Sequence, residues 1–205
     1  QELKDYKDKF STAEKIGIDS SIKLCLEQLS ESLIKQKVYT QALPLLKEAC
    51  TLFPEDINLL KKMVRLNLAL EQKEEAIINL EKILTLDPLF LDGYRRLGKL
   101  YMETNQREKA IKIFQESMSN FPGEPRVRLE MLERITLSTP EGHSTKLTAL
   151  KAWAEELLKD KNLSKAEEVL QESLKIFPEN NLLTVELSKI QYKLGKMDTV
   201  REQLE

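Results

Sequence analysis

Residues 76–122 read AIINLEKILTLDPLFLDGYRRLGKLYMETNQREKAIKIFQESMSNFP, and the spacing inside this stretch decides the fold. Ala76 and Pro88 recur 34 residues later as Ala110 and Pro122, and 34 residues earlier as Ala42 and Pro54. After a break, Ala166 and Pro178 repeat the same internal gap of 12 residues. A fixed period of this length marks stacked supersecondary units. The prolines set frames at 23–56, 57–90, 91–124 and 147–180.

Within each half-frame the apolar positions step by three or four residues, the period of one helix face. The first halves carry Leu26, Leu29, Ser30 and Leu33, then Leu60, Met63, Val64 and Asn67. The next two carry Tyr94, Leu97, Gly98 and Tyr101, then Leu150, Trp153, Ala154 and Leu157. The second halves carry Ala42, Leu46 and Ala49; Ala76, Leu80 and Ile83; Ala110, Phe114 and Ser117; Ala166, Leu170 and Ser173. Two short antiparallel helices approach closely only where one contact is small, and large side chains fill the adjacent grooves. Proline then ends each unit, because it cannot continue a helix. An all-α stack of helix hairpins is expected, its core residues being those named.

The register breaks after Pro122. Arg126–Leu137 is predicted to be an extra helix with Val127, Met131, Ile135 and Leu132 inward, followed by a loop over 138–145 with Ser144 or Thr145 capping the next helix. Residues 125–146 thus form an extra helix and loop, where the stack kinks or, on a weaker reading, a second domain begins. Residues 1–22, with Leu3, Tyr6, Phe10, Ala13 and Ile16, read as an N-terminal capping helix or partial repeat. Residues 181–205 read as a partial fifth repeat, in which Leu183, Leu187, Ile190 and Leu194 start one helix and Val200 and Leu204 a second.

The 205 residues carry 32 basic and 34 acidic side chains, a net charge of −2 that lacks the basic excess of a dedicated nucleic-acid binder. No run is apolar enough to span a bilayer and no signal segment opens the chain. Together with two cysteines at non-ligand spacing, this points to the cytoplasm. The chain opens inside a charged, helix-like stretch, as an excised piece of a larger protein would. Cys25 and Cys50 are expected as small core residues. His143 stands alone in the 138–145 loop, without the partners that zinc or triad chemistry needs, and the six glycines form no phosphate loop. No catalytic residue, metal site or cofactor is expected, and the chain is not read as an enzyme.

The pattern large–large–small–large, then alanine–large–small–proline, resembles the tetratricopeptide repeat (TPR) family over residues 23–180. Asn67 and Val64 depart from it, standing where an aromatic and a small residue are usual. The resemblance implies an α-solenoid wound as a right-handed superhelix, with the first helix of each repeat lining a concave groove that binds a protein or peptide. Carried over by frame, the groove positions are Asn58, Lys61, Lys62 and Arg65 in the second repeat and Asp92, Arg95, Arg96 and Lys99 in the third, with Met102 deeper; the extra helix adds Arg126. The first repeat offers Glu27, Gln28 and Glu31. A basic groove suits an acidic segment as ligand. Glu27 and Glu31 stand where receptors for chaperone C-terminal tails carry Lys and Asn, which disfavours that ligand. The alternative function is a structural module that self-associates through its ends or convex face, or packs on other domains of a larger multidomain protein.

Overall fold

The computed structural model describes residues 12–196, with side chains from Asp19 onward. Among the described residues there are ten helices and no strand. They divide between two compact units, Gln1–Phe90 and Leu91–Glu205. The first holds α1 (Thr12–Lys35), α2 (Tyr39–Leu52), α3 (Ile57–Ala69) and α4 (Lys73–Leu86). The second holds α5 (Leu91–Glu103), α6 (Arg107–Asn120), α7 (Pro125–Ser138), α8 (Ser144–Lys159), α9 (Leu163–Ile176) and α10 (Asn181–Lys193). In each unit every helix packs on the next, giving sequential antiparallel hairpins.

The small-residue seam is buried as the spacing requires. Ala42, Ala76, Ala110 and Ala166 are all 0% exposed, and Leu46, Leu80, Phe114 and Leu170 close over them. Gly98 shows why one small contact is needed: a Cβ there would overlap the ring of Phe114, whose Cδ1 would stand 3.0 Å away with Cε1 and Cζ nearer still. The equivalent pairs along the chain are Ser30 with Leu46, Val64 with Leu80 and Ala154 with Leu170. Val64 is tolerated at a small-residue place because its opposite number is leucine, not phenylalanine.

The backbone carries the period independently. Lys37, Glu71, Asn105 and Lys161 have φ of 60°, 58°, 59° and 59°, and Gly195 has φ 78°. The first three are 34 residues apart, as are the last two. Each follows a first helix and ends it with a left-handed residue. The following amide closes the turn: Val38 N–H to Leu33 O at 2.9 Å, Gln72 to Asn67 at 2.8 Å, Gln106 to Tyr101 at 2.7 Å, Asn162 to Leu157 at 2.9 Å and Lys196 to Gln191 at 2.9 Å. Four of the five lack the glycine that adopts this conformation freely. Glu71→Gly is therefore expected to stabilise the first unit by roughly 0.5–1 kcal/mol, read as a higher denaturation midpoint.

From Asn105 to Lys161 the interval is 56 residues, one period plus 22, so residues near 125–146 are an insertion of 22. Its helix is α7, opened by Pro125 at the first helical position and buried along Val127, Met131, Leu132 and Ile135. Ser138 is still helical, so the loop is shorter than expected. The cap of α8 is a correction. His143 itself is the N-cap, its Nδ1 accepting from the Thr145 N–H at 3.4 Å and lying 3.1 Å from Thr145 Oγ1. Ser144 and Thr145 are already inside the helix.

Two core assignments are also corrected. Leu29 is 53% exposed, whereas its equivalents Met63, Leu97 and Trp153 are buried. Among the described residues no helix precedes α1. Cys25 is exposed on α1, and Cys50 is half-buried, where burial pushes its thiol up to about 11. At neutral pH that thiol is protonated and unreactive. Helix α1 runs unbroken past residue 22, so residues 12–22 of the expected capping segment are continuous with the first helix of the first repeat. Leu3, Tyr6, Phe10, Val200 and Leu204 lie outside the described residues, as do the side chains of Ala13 and Ile16.

Candidate functional site

Helix α3 is fixed at its N-terminus by Asp56, whose Oδ1 accepts from the amides of Asn58 at 2.9 Å and Leu59 at 3.1 Å. Lys23 of α1 forms an ion pair with the same carboxylate. Burial pushes the Asp56 carboxyl up, but the Lys23 and amide hydrogen bonds outweigh it and hold it below the ordinary range. With one side of α3 buried against α2 and α4, its other side presents Asn58, Lys61, Lys62 and Arg65.

These four differ in their freedom. Lys61 is half-buried with its Nζ 3.8 Å from the centre of the Phe90 ring, a cation–π contact. Lys62 is 3.7 Å from both Glu27 and Glu31, so acidic places of the first repeat and a basic place of the second neutralise each other across α1 and α3. Asn58 and Arg65 are exposed, and Arg65 has no ion-pair partner among the described residues.

In the second unit Arg95 is engaged most firmly. Its Nε donates to Glu130 of α7 at 2.8 and 3.0 Å, and Nη2 reaches the same carboxylate. Arg134 adds bonds of 3.0 and 2.8 Å. Arg95 is thus a staple between α5 and the inserted helix, not an open ligand position. Arg96 is paired with Asp92 at 2.6 Å, one turn away, and Lys99 lies 3.8 Å from Glu103. Arg126 is exposed with no ion-pair partner among the described residues, and Met102 is half-buried. The 35-residue separation of Arg95 and Glu130 hid the staple from i,i+4 reading; the matching signal was an acid in the insert one period and one residue beyond an arginine.

Glu130 makes a pH prediction. Burial pushes its carboxyl up, but hydrogen bonds from Arg95 and Arg134 prevail and hold it below the ordinary glutamate range. Its contribution is therefore complete above the unfolded-state value and is lost as pH falls through the lower folded value. Glu130→Gln is expected to cost about 1–2 kcal/mol at neutral pH, the pair being partly screened by solvent, and much less in acid. Urea denaturation of both proteins at neutral and acid pH checks the convergence.

A second ion pair, Lys165 of α9 to Glu133 of α7 at 3.6 Å, continues the line begun by Arg95 and Glu130. Helices α5, α7 and α9 therefore lie side by side in one layer of the second unit, and α6, α8 and α10 form the other. Among the described residues no group of three His, Cys, Asp or Glu is placed to hold a metal ion.

The tetratricopeptide repeat family profile matches residues 92–123, the α5–α6 hairpin with Gly98 under Phe114. Residues 92–123 are a tetratricopeptide repeat. Solved structures similar to the chain are TPR and MamA structures. A crystal structure of MamA is 23% identical with a TM-score of 0.51, covering 70% of this chain and 81% of that one. The P58(IPK) TPR domain is 13% identical with a TM-score of 0.49, covering 93% and 61%. MamA from Desulfovibrio magneticus RS-1, residues 41 to the end, is 17% identical with a TM-score of 0.44, covering 89% and 91%. No curated protein sequence matches the chain. TPR domains generally serve as protein–protein interaction modules and are typically non-catalytic. No described helix of this TPR protein is long and apolar enough to cross a membrane.

Proposed function

We propose that this TPR protein is a docking scaffold whose open first-helix faces bind an acidic segment of a protein partner. The observation that carries the reading is the open face of α3, where Asn58 and Arg65 stand exposed beside Lys61 and no described carboxylate answers Arg65. A guanidinium fork matches a carboxylate in two parallel bonds, and neighbouring cations hold an extended acidic chain in register. In the second unit Arg96, Lys99 and Arg126 supply cations on their own faces, while Arg95 fixes the scaffold.

Binding of a fluorescein-labelled peptide rich in Glu and Asp to the full chain, followed by anisotropy, tests this. The pair Lys61→Glu with Arg65→Glu is expected to weaken binding by about tenfold or more, and salt to weaken it in the unaltered protein. Arg96→Glu with Arg126→Glu examines the second unit without touching the Glu130 staple. Affinity unchanged by both double reversals contradicts the proposal. A second reading, self-association, is favoured by the exposed apolar side chains on α10, and light scattering of the chain alone decides it.

A further inference from the structure

The 22-residue insertion has a geometric consequence. Adding one helix between hairpins reverses the alternation, so a helix with first-helix character after the insertion falls into the layer that second helices occupied before it. Helices α8 and α10 have that character, because Lys161 and Gly195 end them with the same left-handed turn that Glu71 and Asn105 give α3 and α5. Helix α8 lies beside α6 and α10 beside α8, in the layer opposite α5. The open first-helix faces of the second unit therefore point to both sides of the stack.

Counting back from the turn residue places Thr148, Lys151, Ala152 and Glu155 of α8 at the positions of Asn58, Lys61, Lys62 and Arg65. On α10 the same positions are Leu182, Val185, Glu186 and Lys189. On α3, with α4 packed on the helix, Asn58 and Arg65 stay exposed and Lys61 and Lys62 half-buried, so a following hairpin helix does not bury these positions. Leu182 is 64% exposed, Val185 48% and Tyr192 63%, a stripe at spacings of three and seven along one side of α10. Between α8 and α10 a notch of about 80 Å³ opens over Leu170, walled by Ala154, Leu158, Leu182 and Leu183. That volume holds the end of one aliphatic side chain.

The rim is electrically specific. Lys189 is tied to Glu186 at 2.9 Å, whereas Lys151 and Glu155, one turn apart on α8, have no ion pair with each other or with another described residue. The walls are helices whose backbone groups are already bonded internally, so a ligand finds side chains there but few backbone partners. An extended segment would leave its amides unanswered; a helix satisfies its own.

We propose that the α8–α10 face of the second unit is a second docking site, taking an amphipathic helix of a partner protein. Its apolar stripe lies along Leu182, Val185 and Tyr192 and one aliphatic side chain enters the notch. A carboxylate opposite Lys151 and a cation opposite Glu155 set its direction. This site differs in chemistry from the acidic-segment faces of α3 and α5, being driven by apolar burial and little affected by salt.

The test uses the full chain and a labelled synthetic helix of about 14 residues, long enough to follow α10. It carries Leu at helical spacing, with one Glu and one Lys placed to meet Lys151 and Glu155. Binding is expected to survive high salt and the Lys61→Glu/Arg65→Glu and Arg96→Glu/Arg126→Glu reversals. It is expected to fall about tenfold or more in Leu182→Glu with Val185→Glu, both exposed enough for folding to persist by circular dichroism. The double exchange Lys151→Glu with Glu155→Lys is expected to weaken this peptide and to favour one with its charges interchanged. Absence of binding, equal binding by a proline-broken analogue, or indifference to Leu182→Glu/Val185→Glu overturns the proposal. So does a dimer in light scattering that the same variant dissolves, since a second copy would then be the occupant. Failure of the acidic peptide at α3 leaves this result untouched, so the two proposals fail separately.

Discussion

Gly98→Ala is expected to destabilise the second unit by about 1–3 kcal/mol, although alanine is the better helix former. On an isolated helix the exchange would help by up to roughly 1 kcal/mol. Here the added methyl would overlap the ring of Phe114, which is 2% exposed and enclosed. The ring cannot swing into solvent, so either it leaves its rotamer or α5 and α6 move apart. Phe114→Leu on its own removes packing and also costs stability, but it makes room for the methyl. The double variant is therefore expected to be more stable than the sum of the two losses, with a coupling of about 0.5–3 kcal/mol. Denaturation midpoints of the four proteins measure it. A neutral Gly98→Ala, or strictly additive effects, would show that the helices do not meet at this point.

The second large effect has the opposite sign. Asn67 is 1% exposed, and neither its Oδ1 nor its Nδ2 has a hydrogen-bond partner among the described residues. Its equivalents in the other frames are Leu33, Tyr101 and Leu157, all with large apolar or aromatic bodies. Burying an unanswered amide costs about 1–3 kcal/mol. Asn67→Leu removes that cost and keeps the branched outline in a bulkier side chain, so the first unit is expected to gain up to about that much. For a chain of this size the melting temperature rises by about 2–4 °C per kcal/mol. A lower melting temperature would mean that the amide is bonded and that polarity is needed at this place.

The fold was legible because its signals are periodic and its constraints steric. Ala76, Ala110 and their fellows identify the seam, since a side chain larger than methyl would part the helices. The prolines at 54, 88 and 122 mark where each unit closes. Less visible were the turns, because Lys37, Glu71 and Lys161 adopt a conformation whose usual marker is glycine; only their spacing could have exposed them. His143 was hidden as a cap because histidine seldom serves as one, yet its Nδ1 lone pair does what a serine oxygen does.

Site chemistry was the harder reading. Arg95 and Lys62 are cations at the places the frame names, but charge alone does not disclose whether a cation is already answered. Glu130 and Glu31 come from neighbouring helices, and such pairs are set by tertiary packing across a whole period. The α8–α10 face was missed for a different reason. Leu182 and Val185 have the composition of core residues, yet they stand at the places that Asn58 and Lys61 hold on α3, outside the packed seam.

The claim beneath all of this is that alanine side chains at one period are sealed between paired helices, and thiol protection measures it directly. In a background with Cys25→Ser and Cys50→Ala, single substitutions Ala42→Cys, Ala76→Cys, Ala110→Cys and Ala166→Cys are compared with Lys99→Cys on the open side of α5. Under native conditions all four buried thiols are predicted to resist a maleimide reagent while the Lys99 position reacts at the rate of an unfolded peptide. Reaction of the four alanine positions as fast as the Lys99 position, in protein that circular dichroism shows to be folded, would contradict the seam.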